Sequence, residues 1–455
     1  MTANFVTVDR LSPLLLPPDL RDWIPEDDLV HFVLGAVEAL DLSCFHVNYR
    51  GSGSKQYPPH MMLGLLVYCY ANGIFGSRRI ERATYRDIAV RYLTGDTHPD
   101  HDTICTFRRE NLEAVHSCFV KVLELARELK LLKVGAVSVD GTHLRASASK
   151  NKNVTYDRAG ELSKQLEDEV QELLGKAEEA DQSDSAEGQR LPEEIARREA
   201  LKEKLEQARA RLEERARKKA EAEQAEYQRK VKDREQRRGR AKGNKIKAPD
   251  DQPKGEKQIN LVDQDSNLMR KSKRSGFEQS YNAQAVVDAD GSQLVLGTRV
   301  SCCASDRQEL AADIAGMAEG LETPQKVLAD SGYASEEHVR ELETQGIDVY
   351  VSTGAESRHQ CRKHDLRPEH LRSETSKEPK APWLVAMKAK LQTEEGKKVY
   401  RLRKQTVEPV FGIIKQAMGF RQFLLRGHRK VTGEWELVSL AYNMKRLWGL
   451  QATSS

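Results

Sequence analysis

Over roughly the first 132 residues, apolar side chains recur every three or four positions. This spacing predicts short helices joined by tight loops. Pro25-Glu-Asp-Asp-Leu29 opens one helix with acids in its first turn, followed by the ladder Leu29, Phe32, Val33, Ala36, Val37 and Leu40. The Gly- and Pro-rich stretch 48–59 reads as a loop, and a strongly apolar helix follows from His60 to Tyr70, breaking at Asn72-Gly73. Further helices open at Ser77 and at Thr103, the second capped by Asp102 or Thr103 itself. Val134-Gly-Ala-Val-Ser-Val-Asp140 then reads as a buried strand ending on an aspartate, with Gly141 to turn the chain.

The helical period returns from Glu161 to about Arg240. Leu162, Leu166, Val170, Leu173 and Ala177, then Leu201, Leu205, Ala208 and Leu212, step by four and three on either side of the loop 181–188. An antiparallel helical hairpin with a coiled-coil seam is expected. Beyond Gln258 the pattern is globular: strands at 281–288 and 293–300 across the turn Asp288-Ala-Asp-Gly291, a helix from Asp306, a strand at 326–329 leading to Asp330, a helix 335–345 and a strand 348–352. Two helical stretches, 397–415 and 432–450, close the chain. The elements predict an α/β fold, a mixed sheet with helices on its faces.

Charge changes this picture only locally. Seventy-three Lys and Arg against 70 Asp and Glu leave a net +3, yet residues 228–258 hold 12 bases and 5 acids. That tail is either a solvated helix end or a contact for a DNA backbone. Paired arginines, Arg78-Arg79 and Arg108-Arg109, lie on short amino-terminal helices, as in a helix-turn-helix DNA-binding unit or in a bundle with solvated arginines. Seven cysteines without paired metal-type spacing fit a reducing, cytoplasmic compartment, and no apolar run approaches a membrane span. The acidic and histidine-rich loop 96–102, and Cys361 with His359 and His364, are minor candidates for metal ligands.

The main candidate chemistry is carried by Asp140, Asp330 and Glu408. Taken singly, these acids read as a turn, a helix cap and an exposed helical glutamate. Taken together, two aspartates at strand ends and a glutamate on a packing helix supply the oxygen ligands that Mg²⁺ or Mn²⁺ prefers. Two such ions would activate the attacking oxygen of a phosphodiester and stabilise the leaving one. Tyr400, Arg403, Lys404 and Lys415 flank Glu408 and would grip phosphates.

The order Ser138-Val-Asp-Gly-Thr142, Tyr281-Asn-Ala-Gln284, Ala329-Asp-Ser-Gly-Tyr333 and Tyr400 through Glu408 to Lys415 resembles the DDE transposases of bacterial insertion sequences. Within that insertion-sequence-four-like clan the resemblance is to the insertion-sequence-1182 branch. Tyr49-Arg-Gly, Tyr57-Pro-Pro59 and Ser77-Arg-Arg-Ile-Glu81 resemble the helical domain these enzymes carry ahead of the core. The resemblance implies an RNase H-like core with Asp140, Asp330 and Glu408 as its acidic triad. The clan separates Tyr, Arg, Glu and Lys by two, three and six residues, whereas two, four and six stand here, so Lys404 competes with Arg403 for the arginine's place.

The expected organisation is a helical DNA-binding domain over 1–132, a first part of the core over 133–157, the helical hairpin with its basic tail over 158–257, and the rest of the core over 258–455. The expected partners are the element's terminal inverted repeats, target DNA and further copies of the chain. The expected activity is metal-dependent end cleavage and strand transfer. A nuclease or resolvase without strand transfer, and an inactive DNA-binding assembly protein, are the alternatives.

Overall fold

The computed structural model describes residues 6, 9, 19–48, 55–183, 191–236, 247–270, 275–354 and 381–454. Cys361, His359, His364 and residues 49–54 of the loop 48–59 lie outside the described residues, as does the most basic part of the tail, 237–246. The chain divides into two compact units, Met1–Arg145 with Tyr281–Ser455, and Ala146–Ser280. The helices are α1 (Leu29–Glu38), α2 (Pro59–Ala71), α3 (Ser77–Arg86), α4 (Ile88–Leu93), α5 (His101–Glu110), α6 (Leu112–Glu128), α7 (Tyr156–Ser183), α8 (Leu191–Gln236), α9 (Leu310–Ala315), α10 (Glu336–Thr344), α11 (Pro382–Gln392), α12 (Glu394–Gly412) and α13 (His428–Ser454). The strands are β1 (Ala136–Arg145), β2 (Asn153–Thr155), β3 (Gln258–Asn260), β4 (Asn267–Met269), β5 (Glu278–Asp288), β6 (Val295–Ser301), β7 (Lys326–Ala329) and β8 (Asp348–Val351). Among the described residues no helix is long and apolar enough to cross a membrane.

In the first unit the strands run in the order β6-β5-β1-β7-β8. β5 and β6 form the expected antiparallel hairpin, with a register shift at Val286/Val287, while β1, β7 and β8 are parallel. Val137, Val139, Val327, Leu328, Ala329, Val349 and Val351 are all buried, as expected for parallel strands covered on both faces. The expectation that β1 stops at Asp140 is corrected. The strand continues to Arg145 with β5 as its neighbour, whereas its parallel neighbour β7 ends at Ala329. The register Ser138↔Leu328, carried two residues on, sets Asp140 beside Asp330 where the parallel pairing gives out.

The amino-terminal helices share this unit with the sheet. α2 is buried from Met61 to Ala71 because it lies at the centre of the helical layer, against α1, α4 and α13. α5 is capped by Asp100, which accepts from the Thr103 amide at 2.7 Å, and not by Asp102 or Thr103. In the preceding loop His98 bonds Thr84 at 3.1 Å, and at the start of α5 His101 pairs with Glu81 at 2.8 Å; both ties lead back to α3. Those histidines point at different partners, so they do not form a shared metal site.

Arg108, expected at a DNA surface, is 4% exposed. Its guanidinium donates to the Tyr70 hydroxyl at 2.8 Å and to the Phe75 carbonyl at 3.1 Å, and Tyr70 in turn reaches the buried Glu434 of α13 at 3.5 Å. Glu434 also accepts the Leu424 and Leu425 amides at 2.9 and 3.0 Å. A buried cation and a buried carboxyl thus tie α5 to α13, whereas the neighbouring Arg109 faces solvent.

The second unit is wider than the helical hairpin alone. α7 and α8 run antiparallel, with Arg198–Glu169 at 2.9 Å and Tyr156–Glu213 at 2.6 Å marking the register. Leu166, Leu205, Ala208 and Leu212 form its core with Val154, Ala159 and Ile259, so the antiparallel pair β2 and β3 closes one end of the hairpin. Leu201, expected in the seam, is 43% exposed.

Arg108→Ala should reduce stability in denaturant unfolding by about 3–5 kcal/mol, since it leaves Glu434 buried without its cation. Arg109→Ala, one residue along, should change it by about 0.5 kcal/mol or less. Equal effects would contradict this account of the α5–α13 contact.

Candidate active site

The site is built where β1 outruns β7 and α12 crosses the sheet. α12 is seated by Val399, Tyr400 and Leu402, which pack on Ala136, Leu328 and Tyr350. Tyr400, expected to face DNA, is half-buried in this contact and donates its hydroxyl to the Ala329 carbonyl at 3.3 Å. Pro409 lies inside α12 and has no N–H for the Gln405 carbonyl. The Gln293 side-chain amide fills that place at 2.6 Å, so the helix passes the proline next to Glu408 with its freed carbonyl satisfied.

Arg403 is the centre of the site. Its guanidinium stands 3.4 Å from Asp140, 3.9 Å from Asp330 and 3.4 Å from Glu408. The three acids named from the sequence therefore converge on one cation from their own chain. Side-chain exposure grades these pairs: 10% for Arg403 and 18% for Asp140, but 39% for Asp330 and 53% for Glu408. The Arg403–Asp140 interaction is the one least screened by solvent, and the Glu408 pair contributes little. Buried Nε of Arg403 has no hydrogen-bond partner.

Each aspartate is also held by backbone. Asp140 accepts from the Gly141 amide at 2.9 Å, and Asp330 accepts from the Gly332 amide at 2.7 Å, capping the turn Ser331–Tyr333. Burial pushes the Asp140 carboxyl from 3.8 up to about 7; Arg403 works against that rise, and Asp330 adds to it. Lys415 follows α12 in a wider, π-helical turn, Ile413–Ala417, and its ammonium donates to the Thr142 hydroxyl, two residues from Asp140 on the same face of β1.

Of the residues expected to bind DNA, Arg403 and Tyr400 are turned inward and Lys415 reaches the strand beside Asp140. Lys404 is exposed, and of these two neighbouring bases it is Arg403 that meets the acids. Arg78, Arg79 and Arg109 are exposed on α3 and α5, outside the acid cluster.

The sequence reading missed a polar layer behind the acids. Asn282 and Gln284, two apart on β5, both donate to one oxygen of Asp306 at 2.7 Å, and the Tyr333 hydroxyl donates to the side-chain oxygen of Gln284. Alternation in Tyr281-Asn-Ala-Gln284 was the available signal, since it puts two amides on one face of a strand.

Three carboxylates with backbone-held aspartates are a donor set that fits a hard divalent cation. In their present positions no three Asp, Glu, His or Cys side chains among the described residues are arranged to hold a metal ion. The guanidinium lies between them.

Two family models match parts of the chain. Residues 243–444 match the family Transposase DDE domain, and residues 18–110 match the family Transposase domain (DUF772). Together they support a DDE transposase of an insertion sequence, a nucleic-acid-processing enzyme whose DDE domain implies an RNase H-like fold. The first match includes Asp330 and Glu408 and begins after Asp140. No curated protein and no solved structure matches the chain.

With the Asp140 carboxyl raised to about 7 from 3.8, the folded chain holds that proton more tightly than the unfolded chain. The resulting stability is present at low pH and is lost as pH rises through about 7. In metal-free protein, the thermal midpoint of Asp140→Asn should therefore gain on wild type between pH 4 and pH 8. A pH-independent difference would contradict the burial of this group.

Proposed function

We propose that the chain is a metal-dependent transposase of the insertion-sequence-1182 branch, acting on the terminal inverted repeats of its own element. The convergence of Asp140, Asp330 and Glu408 on one guanidinium carries this reading, because residues 190 and 78 positions apart meet where a cation is already favoured. Mg²⁺ or Mn²⁺, as two ions, would be held by these acids in place of the guanidinium and would supply Lewis-acid activation of water and stabilisation of the leaving oxygen.

The chain's own residues do the rest. Asp140 and Asp330, anchored by the Gly141 and Gly332 amides, keep their carboxylates at a fixed spacing. Arg403, displaced from the acids, and Lys415 beside Thr142 then have phosphate oxygens as their natural partners. Lys404, Arg78, Arg79 and Arg109 offer exposed bases to the DNA backbone. Hydrolysis at the element's end releases a 3′-OH, and that hydroxyl displaces a 3′-oxygen of target DNA, so one phosphodiester forms as another breaks. Pairing of two ends requires at least two copies of the chain, and the hairpin α7–α8 with its basic extension is the element we assign to pairing or DNA contact. The site of action is the bacterial cytoplasm, on the nucleoid.

Asp140→Asn, Asp330→Asn and Glu408→Gln should each lower cleavage of a terminal-repeat substrate by more than about 100-fold, beyond what loss of an outer-shell partner costs. Binding of the same DNA should be retained. Full cleavage by Glu408→Gln would remove that residue from the site. With pre-cut ends and a supercoiled target, absence of joined product from wild type would leave a nuclease instead of a transposase.

A further inference from the structure

The polar layer behind the acids contains a carboxylate that the proposed reaction does not use. Asp306 lies four residues ahead of α9, and its side chain turns toward the sheet. One oxygen accepts both the Asn282 and Gln284 amides at 2.7 Å, and these two side chains are 1% exposed. β5 is held in turn by the Trp435 indole, which donates to the Gln284 carbonyl at 2.8 Å.

Gly141, beside the first site aspartate, leaves room for this carboxylate, and Gly332, beside the second, lies within reach of it. A Cβ on Gly141 would lie 2.6 Å from the first Asp306 oxygen and 2.5 Å from the Gln284 amide. A Cβ on Gly332 would lie 3.4 Å from the second Asp306 oxygen and 2.8 Å from Asp330. Asp306 therefore stands close behind Gly141, where no side chain would fit, and it is tied to the turn after Asp330 through Gln284, whose side-chain oxygen accepts from the Tyr333 hydroxyl. Alternation along β1 puts Gly141 on the face opposite the Asp140 side chain, so Asp306 stands behind the acids and not among them.

We propose that Asp306 is a positioning residue, a wedge held by Asn282 and Gln284 that sets the separation of the Asp140 and Asp330 turns and hence the spacing of their carboxylates. The backbone alone does not set that spacing, because β7 stops at Ala329 and no ladder bond joins the strands at the two aspartates. A carboxylate bonded to two buried amides is a stiff spacer, and an asparagine of the same shape could keep both bonds through its carbonyl oxygen.

This inference rests on the metal-binding reading above, and a titration of the full-length chain with Mn²⁺ alone, followed by calorimetry without DNA, separates the two. Wild type should bind and Asp140→Asn should not; binding by neither or equally by both would sink the metal reading itself. Given that control, Asp306→Ala should weaken Mn²⁺ binding about tenfold or more, in the range of lost outer-shell partners. Asp306→Asn should stay within about threefold of wild type. Wild-type affinity in Asp306→Ala would overturn the wedge. Equal weakening in both variants would overturn it too, because charge and not position would then be the cause. Should Asp306→Ala fail to fold, Asn282→Ala removes one of the two anchors and should still weaken binding at least twofold; unchanged affinity there overturns the proposal.

Discussion

The organisation of the first unit follows from gathering three like charges at one place and making that tolerable. Two aspartates on neighbouring parallel strands and a glutamate on the crossing helix repel one another, and burial of Asp140 removes the water that would screen it. The Arg403 guanidinium answers this, 3.4 Å from Asp140 and itself largely buried. Its position depends on the path of α12, which depends on Tyr400 and Val399 packing on the sheet and on Gln293 satisfying the carbonyl that Pro409 leaves open. Removing the cation without a substitute would leave the acids to separate or to take up protons.

The rest of the unit supplies rigidity to that arrangement. The order β6-β5-β1-β7-β8 puts the parallel strand β7 on one side of β1 and the long antiparallel hairpin on the other. Asp140 therefore sits where β1 has run past β7 and before Arg145 is bridged by Gln422. Behind it, Asn282, Gln284, Tyr333 and Asp306 form a connected polar layer, with buried amides satisfied by a carboxylate. Further out, the Arg108, Tyr70 and Glu434 contact joins the amino-terminal helices to α13, whose Trp435 reaches β5. Charges buried within the helical layer and the acids at the sheet's end are thus parts of one packed unit.

Much of this was legible in the sequence because it is local. The apolar runs of β7 and β8, the Asp-Ala-Asp-Gly turn of the β5–β6 hairpin, the heptad-like steps of α7 and α8 and the glycine after Asp140 each leave a short-range signature. The three acids are different: singly they read as a turn, a cap and an exposed glutamate, and only their combination and the resemblance to a known family marked them. Arg108 was misread because neighbouring arginines look alike in sequence, although one helical position, about 100°, separates the buried Arg108 from the exposed Arg109. Leu201 was misread because its period fits the seam although the facing helix does not cover it.

What the sequence by itself determined is the identity and order of most of the longer elements, since hydrophobic period and turn chemistry act over a few residues; the short strands β2, β3 and β4 and the helix α11 left no such signal. It also marked Asp140, Asp330 and Glu408 as residues worth bringing together. The tertiary structure alone decided that Arg403 and not Lys404 faces the acids, that β1 runs on past Asp140, and that Asp306 stands behind the two aspartate turns. Each of these depends on which strand neighbours which and on how α12 is rotated against the sheet. Those are consequences of packing between segments more than a hundred residues apart, and no local pattern encodes them.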